Sequence, residues 1–271
     1  YEIVQGDWSS DVCSSDLFVV SEHWSGLQEI NQHKLSRLGK WIIKKIANKA
    51  SIIMPVTENL VTGLKKLGIG TPMKVIGNVV DTEMFGLGSS DQEKFIFLHV
   101  SSLISLKNPD KIINAAVQLH LINPHFELHI GGDGDVNRLK ELIARHNAED
   151  YIKTFGMISS EEVAQKMKAA SCFVLFSNYE NQPCVILESF ASGIPVIAPK
   201  VGGIAEILNS ERGILIEKGN EKELLNAMKN VLEGSASFGT SEEIRNYCVG
   251  HFSQKKIAEK FSEIYNSVLN P

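Results

Sequence analysis

Apolar positions along the chain follow two alternating rhythms. Short runs such as 95–100 and 172–176 are almost continuously apolar. Longer stretches repeat at three and four residues, as in Leu224, Leu225, Met228 and Leu232. The first rhythm predicts strands buried on both faces, the second amphipathic helices. Strands are predicted at 18–21, 51–56, 74–76, 95–100, 126–130, 152–155, 172–176 and 195–198. Helices are predicted at 34–50, 108–121, 136–146, 184–192, 204–208 and 221–232. Three more helices announce their starts. Thr57 caps one that runs to Leu67 and stops at Gly68 and Gly70. Ser159 caps another, with Glu162 as its capping-box partner. Ser253 caps the last, whose stripe is Ile257, Phe261, Ile264 and Val268.

Repeated strand–helix units imply a parallel sheet with helices on both faces, an α/β, doubly wound architecture. The segment from about Lys94 to Gly250 makes one complete unit of this kind. The Gly/Ser-rich run 86–91 is the linker candidate before it. Residues 1–90 read as the tail end of a similar unit, and 253–271 as a helix returning toward it.

The opening segment breaks the pattern. The chain begins on Tyr1, which is expected of a fragment. Residues 2–5 read as a strand, yet the stretch to the next strand is short, Ser/Asp-rich and without helical periodicity. Residues 9–17 resemble a translated sequencing-adapter segment, so about 6–17 is expected to be artefactual, a genuine surface loop being the alternative. Trp8 and Cys13 are given no function on that account.

Composition narrows the class. Of 271 residues, 43% are hydrophobic and 22% charged, as in globular proteins. Lys plus Arg number 27 against 32 for Asp plus Glu, a net charge of −5. No nucleic-acid partner is expected of such a chain. The cysteines, at 13, 172, 184 and 248, form no CxxC pair, which suits a reducing cytoplasm. Neither a spanning segment nor a secretion signal is visible.

The chemistry concentrates between residues 99 and 206. Glu180 and Glu188 stand eight apart in Glu180-Asn181-Gln182-Pro183-Cys184-Val185-Ile186-Leu187-Glu188. The first lies on the loop after a strand, the second inside the following helix. That helix start offers free N–H groups and a positive dipole end to a phosphate. On spacing alone, the pair equally fits a loop charge and a dipole-stabilising helix residue.

The surrounding residues favour the ligand reading. A segment Gly193-Ile194-Pro195-Val196-Ile197-Ala198 and a loop Gly202-Gly203-Ile204-Ala205-Glu206 follow. Asn78-Val79-Val80-Asp81, with Phe85 beyond, precedes the second unit; Gly132-Asp133-Gly134 and Phe155-Gly156 lie within it. In this order and spacing, the chain from about Phe18 to Leu269 resembles glycosyltransferase family 4, retaining enzymes of the GT-B fold with nucleotide-sugar donors. The resemblance implies two Rossmann-like domains facing a cleft: the first, incomplete, at 1–90, and a donor-binding domain at 91–252.

The resemblance also implies roles. Glu180 would meet the donor sugar near the reacting carbon and Glu188 the ribose. Backbone amides at Asn181, Gln182, Cys184 and Val185 would hold sugar hydroxyls and phosphate. Lys107 would clamp the diphosphate, beside Ser102, which occupies the family's arginine position and removes one cation. Gly132 and Met157 complete the implied donor set. His23 would face the donor sugar from the first domain. Lys107 as a solvated lysine and His23 as an unliganded loop residue are the plain alternatives. The implied reaction is transfer with retention, by front-face attack rather than simple double displacement. No metal and no cofactor is expected.

The acceptor class implied is a glycan or lipid-linked molecule, in cell-surface polysaccharide or lipopolysaccharide assembly. The run 34–49 carries six cations and no acid, among Leu38, Trp41, Ile42 and Ile46. It reads either as a basic amphipathic helix touching the inner face of a membrane or as a domain helix with a solvated face. Two other functions remain open. One is a nucleotide-sugar epimerase of the same fold, against which the Glu180–Glu206 block speaks. The other is a non-catalytic nucleotide-binding or interaction module.

Overall fold

A computed structural model describes residues 17–88 and 94–270. The strand expected at 2–5, Trp8, Cys13 and the end of the linker at 89–91 lie outside the described residues.

Two parallel sheets organise the chain. The smaller pairs β1 (Val19–Glu22) with β2 (Ile52–Pro55), Val19 opposite Ile52. Between them lie two 3-10 segments, Ser25–Leu27 and Glu29–Lys34, and α1 (Arg37–Ala47). The helix expected at 34–50 is therefore shorter at both ends. Ser36 caps it, its hydroxyl accepting from the amide of Gly39, which places Lys34 in the preceding turn. Thr57 caps α2 (Glu58–Lys66) through the amide of Leu60, as its position predicted.

No strand forms at 74–76. The segment runs beside β2, with the amides of Lys74 and Ile76 donating to Ile53 and Pro55, but it makes only an isolated bridge at Met73. One face of the small sheet packs on Leu27, Leu60 and Leu64. Met54 on the other face packs with Ile76 and with Ile257 and Ile264 of α10 (Gln254–Leu269). The last helix thus returns along the chain and covers the first sheet.

The larger sheet has six parallel strands. They are β3 (Phe95–Val100), β4 (Phe126–Gly131), β5 (Ile152–Phe155), β6 (Cys172–Val174), β7 (Val196–Pro199) and β8 (Gly213–Ile216), in the order β5-β4-β3-β6-β7-β8. Helices α3 (Pro109–His120), α4 (Val136–Arg145) and α8 (Glu221–Leu232) cover one face. The other carries α5 (Ser160–Lys168), α6 (Cys184–Ala191), α7 (Ile204–Ile207) and α9 (Ser241–Phe252). Because both faces are buried, successive strand residues serve opposite cores: Phe97 packs with α3 and Leu98 with α6. That is why these strands read as continuous apolar runs.

β8 and α9 were not foreseen. β8 is four residues long and opens on glycine, too little for a periodic signal. α9 begins with a capping box of Thr240 and Glu243, a legible start signal. It carries Arg245, whose guanidinium donates to the carbonyls of Phe85 (2.6 Å), Thr82 (2.7 Å) and Ala191, pinning the chain that leaves the first sheet onto the second.

Candidate functional site

The strand order of the large sheet reverses between β3 and β6, and in open α/β sheets ligands bind in the crevice at the carboxyl ends of the strands at such a point. The loop leaving β3 is bound to the glycine turn leaving β4. The amide of Ser101 donates to Gly131 (3.1 Å) and that of Leu103 to Asp133 (2.6 Å). Gly132 sits at φ +131°, where a Cβ would lie 2.0 Å from the Ser101 carbonyl oxygen. Only glycine permits that approach. Ser102 and Gly132 therefore line the same part of the rim.

Beneath the rim lies His99, fully buried. One ring nitrogen, Nδ1, pairs with the Val174 carbonyl at 2.8 Å, and Nε2 with the Ser101 hydroxyl at 2.8 Å. Since a carbonyl only accepts, Nδ1 carries the proton and Nε2 accepts from Ser101. Burial pushes the ring's pKa down to about 4, with the Lys107 charge adding to the effect.

Lys107 closes a 3-10 turn, Ser105–Lys107. That turn is tied to the exit of β6 by the Asn178 amide donating to Leu106 (2.8 Å) and the Asn108 side-chain amide donating to Phe176 (2.8 Å). The result brings the Lys107 ammonium to 2.6 Å from Glu180 Oε1, an ion pair in which the side chains are 19% and 9% exposed. The backbone of Glu180 is fixed from two sides. Its carbonyl accepts from Gln28 Nε2 at 2.7 Å. Gly202, at φ +53°, approaches so closely that a Cβ would lie 1.9 Å from that carbonyl oxygen.

The loop 180–182 is gripped by residues of the first sheet. Asn181 donates to the His23 carbonyl (2.9 Å) and accepts from Thr57 Oγ1 (2.9 Å) and Gln28 Nε2 (3.3 Å). Gln182 and Asn78 bond reciprocally: the Asn78 amide donates to Gln182 Oε1 and Asn78 Nδ2 to the Gln182 carbonyl, 2.7 Å. With its Nδ2 so engaged, Asn78 turns its Oδ1 to His23 Nδ1 at 2.9 Å. His23 is then the Nδ1–H tautomer, and its Nε2 accepts from Ser21 Oγ at 2.8 Å. A second clamp crosses nearby. Glu206 accepts the backbone amides of Glu58 and Asn59, each at 2.8 Å, at the start of α2.

α6 begins behind the Glu180 loop with Pro183 at its N-cap, where no side chain caps it. Cys184 and Val185 form its first turn, and the Cys184 thiol is raised by burial and by the charges of Glu188 and Glu180. Glu188 stands one turn in. Burial pushes its carboxyl up to about 7, and it accepts no hydrogen bond from a described residue. Met157 follows β5 and is 79% exposed.

The crevice thus gathers Lys107, Glu180, Asn181, Gln182 and His23 into one bonded set, with Ser102, Gly132, Cys184 and Glu188 on its rim. Gln28, Thr57 and the clamp made by Glu206 were not foreseen as site residues. Gln28 is a single polar residue in unremarkable sequence and Thr57 carries only a helix-cap signal; their contacts with the Glu180 loop distinguish them. Among the described residues, no group of three or more His, Cys, Asp or Glu is placed to hold a metal ion. No helix among them is long and apolar enough to cross a membrane.

Comparison with known proteins gives the family and the fold. The family described as glycosyl transferases group 1 matches residues 80–251. N-acetyl-alpha-D-glucosaminyl L-malate synthase of Bacillus anthracis is 26% identical over 185 residues, 67% of this chain and 48% of that protein. UDP-Gal:alpha-D-GlcNAc-diphosphoundecaprenol alpha-1,3-galactosyltransferase of Escherichia coli is 28% identical over 213 residues, 72% of this chain and 54% of that protein. The chain spans about half the length of these curated relatives. Among solved structures, HepE of Anabaena in complex with UDP superposes with a TM-score of 0.82 at 23% identity, over 93% of this chain and 72% of HepE. The fold is that of GT-B glycosyltransferases.

Proposed function

The chain belongs to the glycosyl transferases group 1 family, and on that footing we propose that its crevice binds a nucleoside-diphosphate sugar and transfers the sugar, with retention of anomeric configuration, to a glycan or lipid-linked acceptor. The observation that carries this reading is the Lys107–Glu180 ion pair at the point where the strand order reverses. A cation beside a carboxylate at this point suits a diphosphate and its sugar.

The division of labour follows from charge. Lys107 and the uncapped start of α6 neutralise the leaving diphosphate, with no metal required. Ser102 contributes a hydroxyl but no charge. Glu188 accepts from the ribose hydroxyls. The amides of Asn181, Gln182, Cys184 and Val185 face sugar and phosphate oxygens. His23, held by Asn78 and Ser21, presents its ring to the sugar from the other wall. In front-face attack the bond from the anomeric carbon to the phosphate oxygen breaks as the acceptor oxygen bonds to that carbon. The acceptor's proton passes to the departing phosphate. Polysaccharide or lipopolysaccharide assembly on the cytoplasmic side of a membrane is the setting that suits such an enzyme.

α1 supports contact with that membrane. None of its residues is buried, and Leu38, Trp41 and Ile42 form an exposed stripe at i, i+3 and i+4. Lys40, Lys44 and Lys45 share the helix, with Lys45 over the Trp41 ring at 4.9 Å. Cosedimentation with vesicles containing anionic lipid tests this, and equal binding by Trp41→Ser with Leu38→Ser overturns it.

Thermal unfolding with UDP, GDP and ADP, repeated on Glu188→Ala, tests the donor site. A ligand at 100 times its Kd adds about 2.7 kcal/mol to a folded protein that alone binds it. A shift with one nucleotide, lost in Glu188→Ala, supports the reading. A cooperative transition indifferent to all three rejects it.

A further inference from the structure

A cavity lies beside the Glu180 loop, lined by Tyr179 next to it in the chain and by Gly202, which abuts the Glu180 carbonyl. It has a volume of about 430 Å³ and opens at the seam between the two sheets. Gln28, Ile30 and Asn59 form its wall on the side of the first sheet. Tyr179, Lys200 and Lys218 form the opposite wall, at the carboxyl ends of β6, β7 and β8. None of these residues belongs to the donor set described above.

The chemistry of this lining is specific. Lys200 and Lys218 are exposed and make no ion pair with any described residue. A third cation, Lys34, stands over the Tyr179 ring at 5.2 Å. The acid on the rim, Glu29, is neutralised by Lys66. Among the described residues, the lining therefore carries two unpaired cations and no unpaired acid, the Glu206 carboxylate standing behind the Asn59 amide. Beside the two cations stand the amide side chains of Gln28 and Asn59, an aromatic ring and an aliphatic side chain. Gln28 is 1% exposed, and its Oε1 has no hydrogen-bond partner among the described residues. That oxygen is itself closed off, so Gln28 meets the cavity through the rest of its side chain.

We infer that this cavity is a binding site for a phosphorylated sugar, the phosphate held by Lys200 and Lys218 and a ring hydroxyl by the side-chain amide of Asn59, beside the Tyr179 ring. Gln28 joins the cavity to the reaction centre, because the same side chain donates to the Glu180 carbonyl at 2.7 Å. The cavity is then the acceptor side of the crevice, and its acceptor carries a phosphate or diphosphate close to the attacked hydroxyl. Its use as an acceptor site rests on the transferase reading; its ligand chemistry stands on the lining alone.

The test is calorimetric titration of the full chain with N-acetylglucosamine 1-phosphate, with and without saturating UDP. Binding is expected in both conditions. Lys200→Gln and Lys218→Gln are each expected to weaken it about ten-fold, the scale of one charged hydrogen bond. Unphosphorylated N-acetylglucosamine should bind more weakly. Loss of binding when UDP is present would show that the sugar phosphate occupies the donor site and would overturn the inference. So would binding indifferent to both lysine variants, or none in a chain that binds UDP. A chain that binds no nucleotide but still binds the sugar phosphate through Lys200 and Lys218 would refute the donor reading and leave the site standing.

Discussion

Glu206 caps a helix that belongs to the other sheet: its two carboxylate oxygens accept the backbone amides of Glu58 and Asn59, both at 2.8 Å. Thr57 already satisfies the Leu60 amide of the same helix, so the start of α2 is shared between a local cap and a distant one. A carboxylate at a helix N-terminus gains from the exposed amides and from the dipole. Glu206→Ala is expected to destabilise the chain by about 1 kcal/mol, the ordinary worth of a cap. Glu206→Gln should recover part of it, retaining an acceptor without the charge. Urea midpoints for the three proteins measure this, and equal midpoints would show that the clamp contributes nothing.

The Lys107–Glu180 pair has a consequence for binding. At 2.6 Å, Glu180 occupies the cation to which the proposed donor's diphosphate would bind. Removing its charge frees Lys107 and lifts a repulsion on the incoming anion. Glu180→Gln is therefore expected to bind UDP more tightly than the parent while losing transfer. Lys107→Ala should bind it about 10- to 100-fold more weakly, since a charged hydrogen bond is worth roughly 1.5–3 kcal/mol. Isothermal titration separates the two. Weaker binding by Glu180→Gln would mean that the carboxylate holds Lys107 in place rather than competing for it.

Glu188 links binding to pH. Burial raises its carboxyl from the usual 4.5 to about 7. The neutral form is favoured by the fold, so its contribution to stability is complete below about 4.5 and is lost as pH rises through about 7. Glu188→Gln should remove that part of the slope. A ribose that donates hydrogen bonds favours the carboxylate instead, so nucleotide affinity should increase from about pH 6 to about pH 8. In Glu188→Gln the increase should be smaller, leaving only the part due to ionisation of the terminal phosphate at about pH 6. A parent protein whose nucleotide affinity does not change over this range would rule out the ribose contact.

His99 acts in the opposite direction. Burial lowers its pKa from 6.5 to about 4, against the hydrogen bond to Val174. The fold accepts only the neutral ring, so the stability it brings is present above about 6.5 and lost as pH falls through about 4. The two groups oppose each other over the interval between, and the parent's net slope hides both. His99→Gln is expected to leave the Glu188 contribution exposed, so that stability falls more steeply as pH rises in urea titrations between about pH 4.5 and 6.5. An unchanged slope would show that His99 contributes nothing there.

The positions that sequence alone could locate are those whose signal is local. The capping box at Ser159 and Glu162, the helix Glu221–Leu232 and the strand Ile152–Phe155 lie where periodicity and end signals place them. The segment 74–76 failed as a strand because pairing is a property of two segments, and beside β2 it finds only a single bridge. The helix at α1 was drawn too long because its apolar repeat continues past Ser36, where the hydroxyl ends it by bonding the Gly39 amide. β8 fell below any periodic window, whereas the capping box at Thr240 marked α9 openly.

The candidate site divides in the same way. The sequence by itself determined an alternating α/β chain with two glutamates eight residues apart at a strand exit, because buried parallel strands and a glycine-rich loop impose patterns on neighbouring residues. Only the tertiary structure decided that Lys107 meets Glu180, that Gln28 and Thr57 reach Asn181, and that Glu206 caps α2. Those contacts join residues 73 to 153 positions apart. Folding brings such groups within hydrogen-bond distance through the order of the strands, and strand order leaves no trace in the spacing of residues along the chain.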